Sequence, residues 1–404
     1  MTQEKTTPHN VPKLRFPEFR DAGAWEKKLL GQVVKFLDGQ RKPIKESDRA
    51  SIQGQYPYYG ASGVIDYIND FIFDETLILL GEDGENIVSR NLPLVFKISG
   101  KCWVNNHAHV LRPKELHSLD FLVQYLESLS YMKYNSSGAQ PKLNQAVCKT
   151  IPLLLPSPSE QQKIADCLSS IDELITTYAQ KFDTLKAHKK GLIQQFFPAE
   201  GEIIPELRFP DFRDAGAWEE KKLKEISVIN QGLQIPISKR FTEKVENSYF
   251  YITNEFLKEN SNKFYYIKNP SESVICDEVD ILMTRTGNTG QVVTNVRGVF
   301  HNNFFKIKYT NEINKGFFVY FLRSENIQNT ILKLAGSSTI PDLNHSDFYR
   351  IEIKLPPLAE QQKIADCLSC IDELIAAQAQ KIDTLKTHKK GLMQQLFPAH
   401  LQDI

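Results

Sequence analysis

Two stretches of the chain carry its clearest hydrophobic rhythm. In the first, Ile164, Leu168, Ile171, Ile175, Tyr178, Phe182, Leu185 and Leu192 follow in steps of four and three residues, broken only at Lys189. The second repeats the series as Ile364, Leu368, Ile371, Ile375, Gln378, Ile382, Leu385 and Leu392, with Lys389 at the matching break. A heptad seam of this length predicts one long helix in each stretch. The prolines around Glu160 supply a start and Phe197-Pro198 a stop, because proline cannot continue a helix. Some 38 residues at a rise of 1.5 Å make a rod of roughly 57 Å. The stripe is narrower than a helix lying on a globular core would need. Its predicted partner is the second copy, in an intramolecular coiled coil.

The copies are nearly identical. From Glu160 to Gln195 and from Glu360 to Gln395 they differ only at Ser170/Cys370, Thr176/Ala376, Thr177/Ala377, Tyr178/Gln378, Phe182/Ile382, Ala187/Thr387 and Ile193/Met393. A shorter repeat runs out of phase with them: PKLRFPEFRDAGAWEKK starts at Pro12 and PELRFPDFRDAGAWEEKK at Pro205. The order is that of a ring opened between a helix and a spacer. A ring requires the end of the second helix to return beside Pro12, which antiparallel helices achieve and parallel ones do not.

Between the helices, β-branched and apolar segments alternate with Gly- and Asn-rich turns and read as strands. The two regions share little sequence but the same order of features. Glu75–Gly81 aligns with Asp280–Gly287, and Val104–Val110 with His301–Ile307. A helix follows in each, and each closes on a loop, SSGAQPKLN or GSSTIPDLN, and a strand ending in Leu-Pro. The expected fold class is α+β: two mixed α/β recognition domains separated by a long antiparallel two-helix coiled coil, with a circularly permuted internal pseudo-two-fold repeat. The expected boundaries are a spacer repeat at 1–24, a first domain at 25–156, the first helix at 157–198, a linker repeat at 199–217, a second domain at 218–356 and the second helix at 357–404.

Composition narrows the function classes. Lys and Arg balance Asp and Glu at 49 each, which argues against a generic nucleic-acid coat while leaving room for a local basic face. No apolar run is long enough for a membrane span, and the polar start lacks the features of a signal peptide. The expected location is cytoplasmic. Six cysteines in 404 residues suit reduced thiols, and Cys367-x-x-Cys370 sits within the helical pattern, where packing explains it. There is no G-x-x-x-x-G-K-[ST] phosphate loop and no Asn/Asp-Pro-Pro-aromatic tetrad. His107 and His109 alternate along a strand without a ligand cluster beside them, so no metal is expected.

The WE-K-L domain openings, the two G-x-x-x-P-x-LN loops, and the helix entries LLLPSPSEQQKIADCL and KLPPLAEQQKIADCL resemble those of the specificity subunit of type I restriction–modification systems. The resemblance covers nearly the whole chain, permuted repeat included; the two helical copies are closer to each other than is usual. It implies a non-catalytic subunit whose two target-recognition domains each read one half of a bipartite site in double-stranded DNA. It further implies helices that set the spacing and dock two modification (methyltransferase) subunits, with two restriction (translocase/nuclease) subunits joining them. S-adenosylmethionine, ATP and Mg would then reside on the partners and none on this chain. Two other classes stand beside it: a structural coiled-coil adaptor, and the recognition half of a split DNA methyltransferase.

Base-edge and phosphate contacts call for Arg, Lys, Asn, Gln and hydroxyl groups at turns and strand ends. In the first domain these are Arg41, Lys42, Lys45, Tyr58, Tyr59, Ser62, Asn86, Arg90, Asn105, Asn106, His107 and Lys142. In the second they are Lys239, Arg240, Asn254, Arg285, Thr286, Asn288, Gln291, His301, Asn302, Asn303 and Ser338. A turn-forming role competes at the paired asparagines, and a core role at the tyrosines.

Overall fold

The structure is a computed structural model that describes residues 10–136, 140–258, 261, 263–336 and 340–398. The chain divides into two compact units, residues 1–179 with 380–404, and residues 180–379. Each unit therefore holds one spacer repeat, one sheet-rich domain, the start of one long helix and the end of the other.

In the first unit the strands are β1 (Glu26–Leu29), β2 (Val34–Phe36), β3 (Gln53–Gly60), β4 (Gly63–Ile68), β5 (Phe73–Asp74), β6 (Leu77–Gly81), β7 (Val95–Ile98), β8 (Lys101–Val104), β9 (Ala108–Pro113) and β10 (Pro152–Leu155). They form one sheet in the order β2-β9-β6-β7, a second in the order β4-β3-β8-β5, and the ribbon β1-β10. Strand β6 is buried at every position, as a central strand covered on both faces must be. The β3–β8 pair is parallel and the other pairs are antiparallel.

The second unit contains β11 (Glu219–Lys222), β12 (Ser227–Gln231), β13 (Ser248–Ile252), β14 (Tyr266–Lys268), β15 (Ile275–Cys276), β16 (Ile281–Thr284), β17 (Val292–Thr294), β18 (Gly298–Phe300), β19 (Phe304–Tyr309) and β20 (Glu352–Leu355). Their orders, β12-β19-β16-β17, β14-β13-β18-β15 and β11-β20, reproduce the first unit strand for strand. The parallel pair recurs at β13–β18. The helices Leu119–Ser128 and Lys315–Arg323 occupy the same place in the chain order, each opened by a side-chain cap, from Ser118 and Asn314. Among the described residues the helix Glu325–Ala335 has no α-helical counterpart in the first unit, where the short turn Met132–Tyr134 stands.

The long helices run from Pro158 to Phe196 and from Leu358 to Leu396, 39 residues each. In the first unit Ile164, Ala165 and Leu168 share a core with Leu396 and Phe397, and Leu392 packs against it. In the second, Ile364, Ala365 and Leu368 share a core with Phe196 and Phe197. Early residues of one helix thus meet late residues of the other, so the pair is antiparallel. The ring also closes as its order requires: the Leu14 amide donates to the Gln395 carbonyl at 2.9 Å, and Leu207 repeats the bond to Gln195 at 3.0 Å.

Along the seam, Ile164, Leu168, Ile364, Leu368, Ile371 and Gln378 are buried. Ile171, Ile175, Tyr178, Phe182, Leu185, Leu192, Ile375, Ile382, Leu385 and Leu392 are half-buried, and most positions between them are exposed. The breaks have a physical cause. Lys389 Nζ reaches Asp172 at 2.7 Å and Lys189 Nζ reaches Asp372 at 2.5 Å. The same aspartates accept from Gln124 and Tyr320 on the recognition-domain helices, at 2.8 and 2.7 Å.

The entry sequence Glu-Gln-Gln is structural glue. Glu160 takes both Arg15 Nε and Nη2 at 2.7 Å, and Glu360 takes Arg208 in the same fork at the same distances. Gln161 and Gln361 donate to the Pro156 and Pro356 carbonyls and accept from the Ser118 and Asn314 amides. Glutamate holds the spacer repeat; glutamine holds the recognition domain. Among the described residues no helix is long and apolar enough to cross a membrane.

Candidate nucleic-acid interface

In the first domain the turns that follow β2, β6 and β8 converge, joined through Arg41, Glu82 and the Asn106 and Ala108 carbonyls. Arg41 donates to Glu82 and to the Ala108 carbonyl, each at 2.7 Å. Lys142 stands 3.4 Å from the same glutamate. His107 meets Asp83 at 2.9 Å, its amide is held by Asn105 Oδ1 at 2.8 Å, and Asn106 is exposed beside it. Lys42, Lys45 and Ser62 are exposed. Tyr59 is half-buried, tilted against Phe96. Asn86 folds the loop before β7 by bonding Leu92 through both ends of its amide. Arg90, at a left-handed φ of 51°, pairs with Glu127.

Two expectations are corrected. Tyr58 is 1% exposed, with its hydroxyl accepting from the Ile44 amide. Asn105 is 4% exposed and shapes its turn. Neither presents an accessible edge, because each is consumed in holding its own loop.

Beneath this surface lies a polar network centred on an acid, Asp38, rather than on a donor. Asp38 accepts from His109 Nδ1 at 2.7 Å, Gln145 Nε2 at 2.7 Å and the Val110 amide at 3.0 Å. His109 Nε2 bonds the Leu143 carbonyl at 2.8 Å. Burial is the largest single influence and opposes a charge on His109, but the hydrogen bonds and charges of Asp38 and Cys148 together outweigh it, and the pKa rises to about 10. His109 is therefore a buried cation that ties β9 to the closing loop.

In the second domain Arg285 forks onto Asp342 at 3.0 and 2.7 Å, and Thr286 Oγ1 joins the same carboxylate at 2.5 Å. Asn254 Nδ2 donates to the Thr286 carbonyl at 3.0 Å. His301 accepts the Asn303 amide at Nδ1, 3.1 Å. Burial, with Arg240's charge nearby, lowers its pKa to about 4, so the ring is neutral. Lys239, Asn288 and Gln291 are exposed and Asn302 half-buried. Ser338 lies outside the described residues. Arg240, Asn254, His301 and Asn303, from three separate segments, line one cleft of about 270 Å3.

The two domains place reversed charges on one frame. The Leu143 amide bonds the Glu82 carbonyl at 2.7 Å, and the Leu343 amide bonds the Arg285 carbonyl at 2.9 Å. Glu82 thus matches Arg285, and Lys142 matches Asp342. Loops with the same backbone task carry opposite side chains.

On the long helices, Leu174 and Leu374 stand off the seam at 47% and 51% exposure. The adjacent Glu173/Glu373, and Asp183/Asp383 further along each helix, are also exposed and identical in the two copies.

A sequence model of the type I restriction modification DNA specificity domain matches residues 23–187 and 216–387. The MjaVIII type I restriction enzyme specificity subunit of Methanocaldococcus jannaschii is 25% identical over 422 residues, covering 96% of this chain and 94% of its own. The crystal structure of the type I restriction–modification S subunit from M. genitalium superposes with a TM-score of 0.61 at 15% identity, over 96% of this chain and 99% of that one. A chain from a study of complex assembly and conformational transition in the type I R-M system gives 0.55 at 16% identity, over 93% and 98%.

Proposed function

Because the chain belongs to the type I restriction–modification DNA specificity family, we propose that it is the sequence-reading, non-catalytic subunit of such a complex. Each recognition domain reads one half of a bipartite site in duplex DNA. The observation that carries this is the pairing of one strand order with two surface chemistries: Glu82–Lys142 in the first domain stands where Arg285–Asp342 stands in the second. Shared scaffolds with dissimilar surfaces suit two ligands of one class, and duplex half-sites of different sequence are such ligands.

The helices supply the rest. Their exposed faces are almost the same in both copies, and each carries an exposed leucine at the matching place. Matched surfaces suit two copies of one protein, here two modification subunits that bring S-adenosylmethionine to adenine. Two restriction subunits with ATP and Mg complete the assembly, and the antiparallel helices set the unread spacing between half-sites.

Exchange of residues 25–156 for the matching domain of a relative tests the reading. Methylome mapping should show one half-site replaced and the other kept. Simultaneous change of both half-sites would refute independent reading.

A further inference from the structure

Beside Tyr58 of β3 and Tyr251 of β13 the two domains hold the same three-residue clamp in different electrostatic surroundings. In the first, the Ile44 amide donates to Tyr58 Oη at 2.9 Å, Arg49 donates to the Ile44 carbonyl at 2.8 Å, and the guanidinium lies over the Tyr58 ring at 5.0 Å. In the second, the Ile235 amide donates to Tyr251 Oη at 3.0 Å. Arg240 donates to the Ile235 carbonyl at 2.6 Å and lies over Tyr251 at 5.1 Å. Arg49 and Arg240 are therefore equivalent residues.

They differ in one neighbour. Tyr58 pairs across the strands with Asp66, whose carboxylate takes Arg49 Nε at 2.8 Å. The Tyr251 amide instead donates to the Tyr265 carbonyl, so a tyrosine stands where the first domain has its acid, with Arg240 at 5.4 Å from the ring. Arg240 makes no ion pair among the described residues. It faces the 270 Å3 cleft together with Lys263, Asn254, Asn303 and the neutral His301. Asn254 Oδ1 is buried there without a hydrogen-bond partner among the described residues. Glu255 also lines the cleft, but its carboxylate is engaged by Lys258 at 2.7 Å. A cation held in place by its own carbonyl bond and aromatic walls, with no carboxylate bonded to it among the described residues, is built for an acceptor that comes from outside.

We propose that this cleft receives a hydrogen-bond-accepting group of the DNA, with Arg240 as its principal donor, and that Arg49 has no such role. Two sources share that chemistry: the oxygens of a backbone phosphate and the O6/N7 pair of a guanine. The inference rests on the DNA-reading function proposed above and adds to it one asymmetric contact point.

The test uses the full chain purified with its modification subunits, with selection from a random DNA library and affinity measured across a salt series. Arg240→Gln should weaken binding tenfold or more. Uniform weakening with a salt slope reduced by about one identifies a phosphate, and relaxed preference at a single base identifies a guanine. Because Arg240 also holds the Ile235 carbonyl, the decisive variant is Tyr265→Asp, which leaves Arg240 in place and gives it the partner Arg49 has. Tyr265→Asp should weaken binding in the same manner, while Tyr265→Phe, which keeps the aromatic wall and adds no charge, should weaken it less. Unaltered binding by Tyr265→Asp overturns the inference. If the unaltered complex itself selects no sequence, the DNA-reading proposal fails instead.

Discussion

The forked pair between Arg208 and Glu360 gives the sharpest stability test. The Glu360 side chain is 1% exposed and that of Arg208 7%. Glu360→Gln would leave the guanidinium buried with one uncharged partner in place of its carboxylate, beside the Gly216 carbonyl that it already holds. Breaking a buried pair by removing one partner costs about 3–5 kcal/mol, since the remaining charge is uncompensated. An exposed pair would cost about 0–1 kcal/mol. For a unit of this size, with roughly 2–4 °C lost per kcal/mol, the melting temperature should fall by roughly 6–20 °C.

Trp218 reports on this unit alone, being buried in its core, while Trp25 and Trp103 lie in the first unit. Urea unfolding followed by fluorescence in a Trp25→Phe, Trp103→Phe background therefore isolates the effect. Arg208→Met combined with Glu360→Leu should recover most of the loss, because it removes both charges. A loss under about 1 kcal/mol for Glu360→Gln would refute the assignment of the clamp as buried glue.

Three further outcomes are expected. His301 titrates near 6.5 when unfolded and near 4 when folded, so the unfolded chain binds the proton first; stability is full above pH 6.5 and falls as pH drops toward 4. Unfolding reported by Trp218 should cost about 2 kcal/mol less at pH 5 than at pH 7.5, and a His301→Gln variant that keeps the same slope would assign it elsewhere. Leu174→Glu with Leu374→Glu should leave stability within about 0.5 kcal/mol yet abolish co-purification of modification subunits; intact co-purification would remove these leucines from the docking surface. One heptad added at mid-seam to both helices preserves the stripe and lengthens each by about 10 Å, so the unread spacer should grow by about three base pairs, and an unchanged spacer would mean that the helices are not the ruler.

The sequence made the helices legible because a heptad seam repeats one physical requirement at fixed intervals, and it made their antiparallel pairing legible because a permuted repeat must close. The shared strand order of the two domains lay beyond it, since pairing depends on contacts between segments whose side chains have diverged. The helix Glu325–Ala335 escaped notice beside the stronger apolar run of Phe317–Leu322. At the candidate interface, donor residue types alone do not show which side chains are free for DNA. Asp38, Glu82, Asp66 and Asp342 decide which donors are engaged within the protein, and apart from Asp38 with Arg41 the pairs His109–Asp38, Arg41–Glu82, Arg49–Asp66 and Arg285–Asp342 join residues far apart in sequence. Arg49 and Arg240 look alike in the sequence, and only the strand pairing that brings Asp66 or Tyr265 beside them tells them apart.

The near-identity of the helical copies has two separable causes. Glu160, Gln161, Asp172 and Lys189 match Glu360, Gln361, Asp372 and Lys389 because each unit makes the same internal bonds with them. These positions carry no information about partners. The seam itself differs, at Tyr178/Gln378 and Phe182/Ile382, since hydrophobic packing tolerates exchange of roughly matched volume and a polar residue can set register. What remains is a set of exposed residues, Leu174, Glu173 and Asp183 with their copies, which are identical although solvent would accept many alternatives. Folding requires no match there. Docking of two copies of one protein does, so the exposed identities, and not the buried ones, argue for a partner.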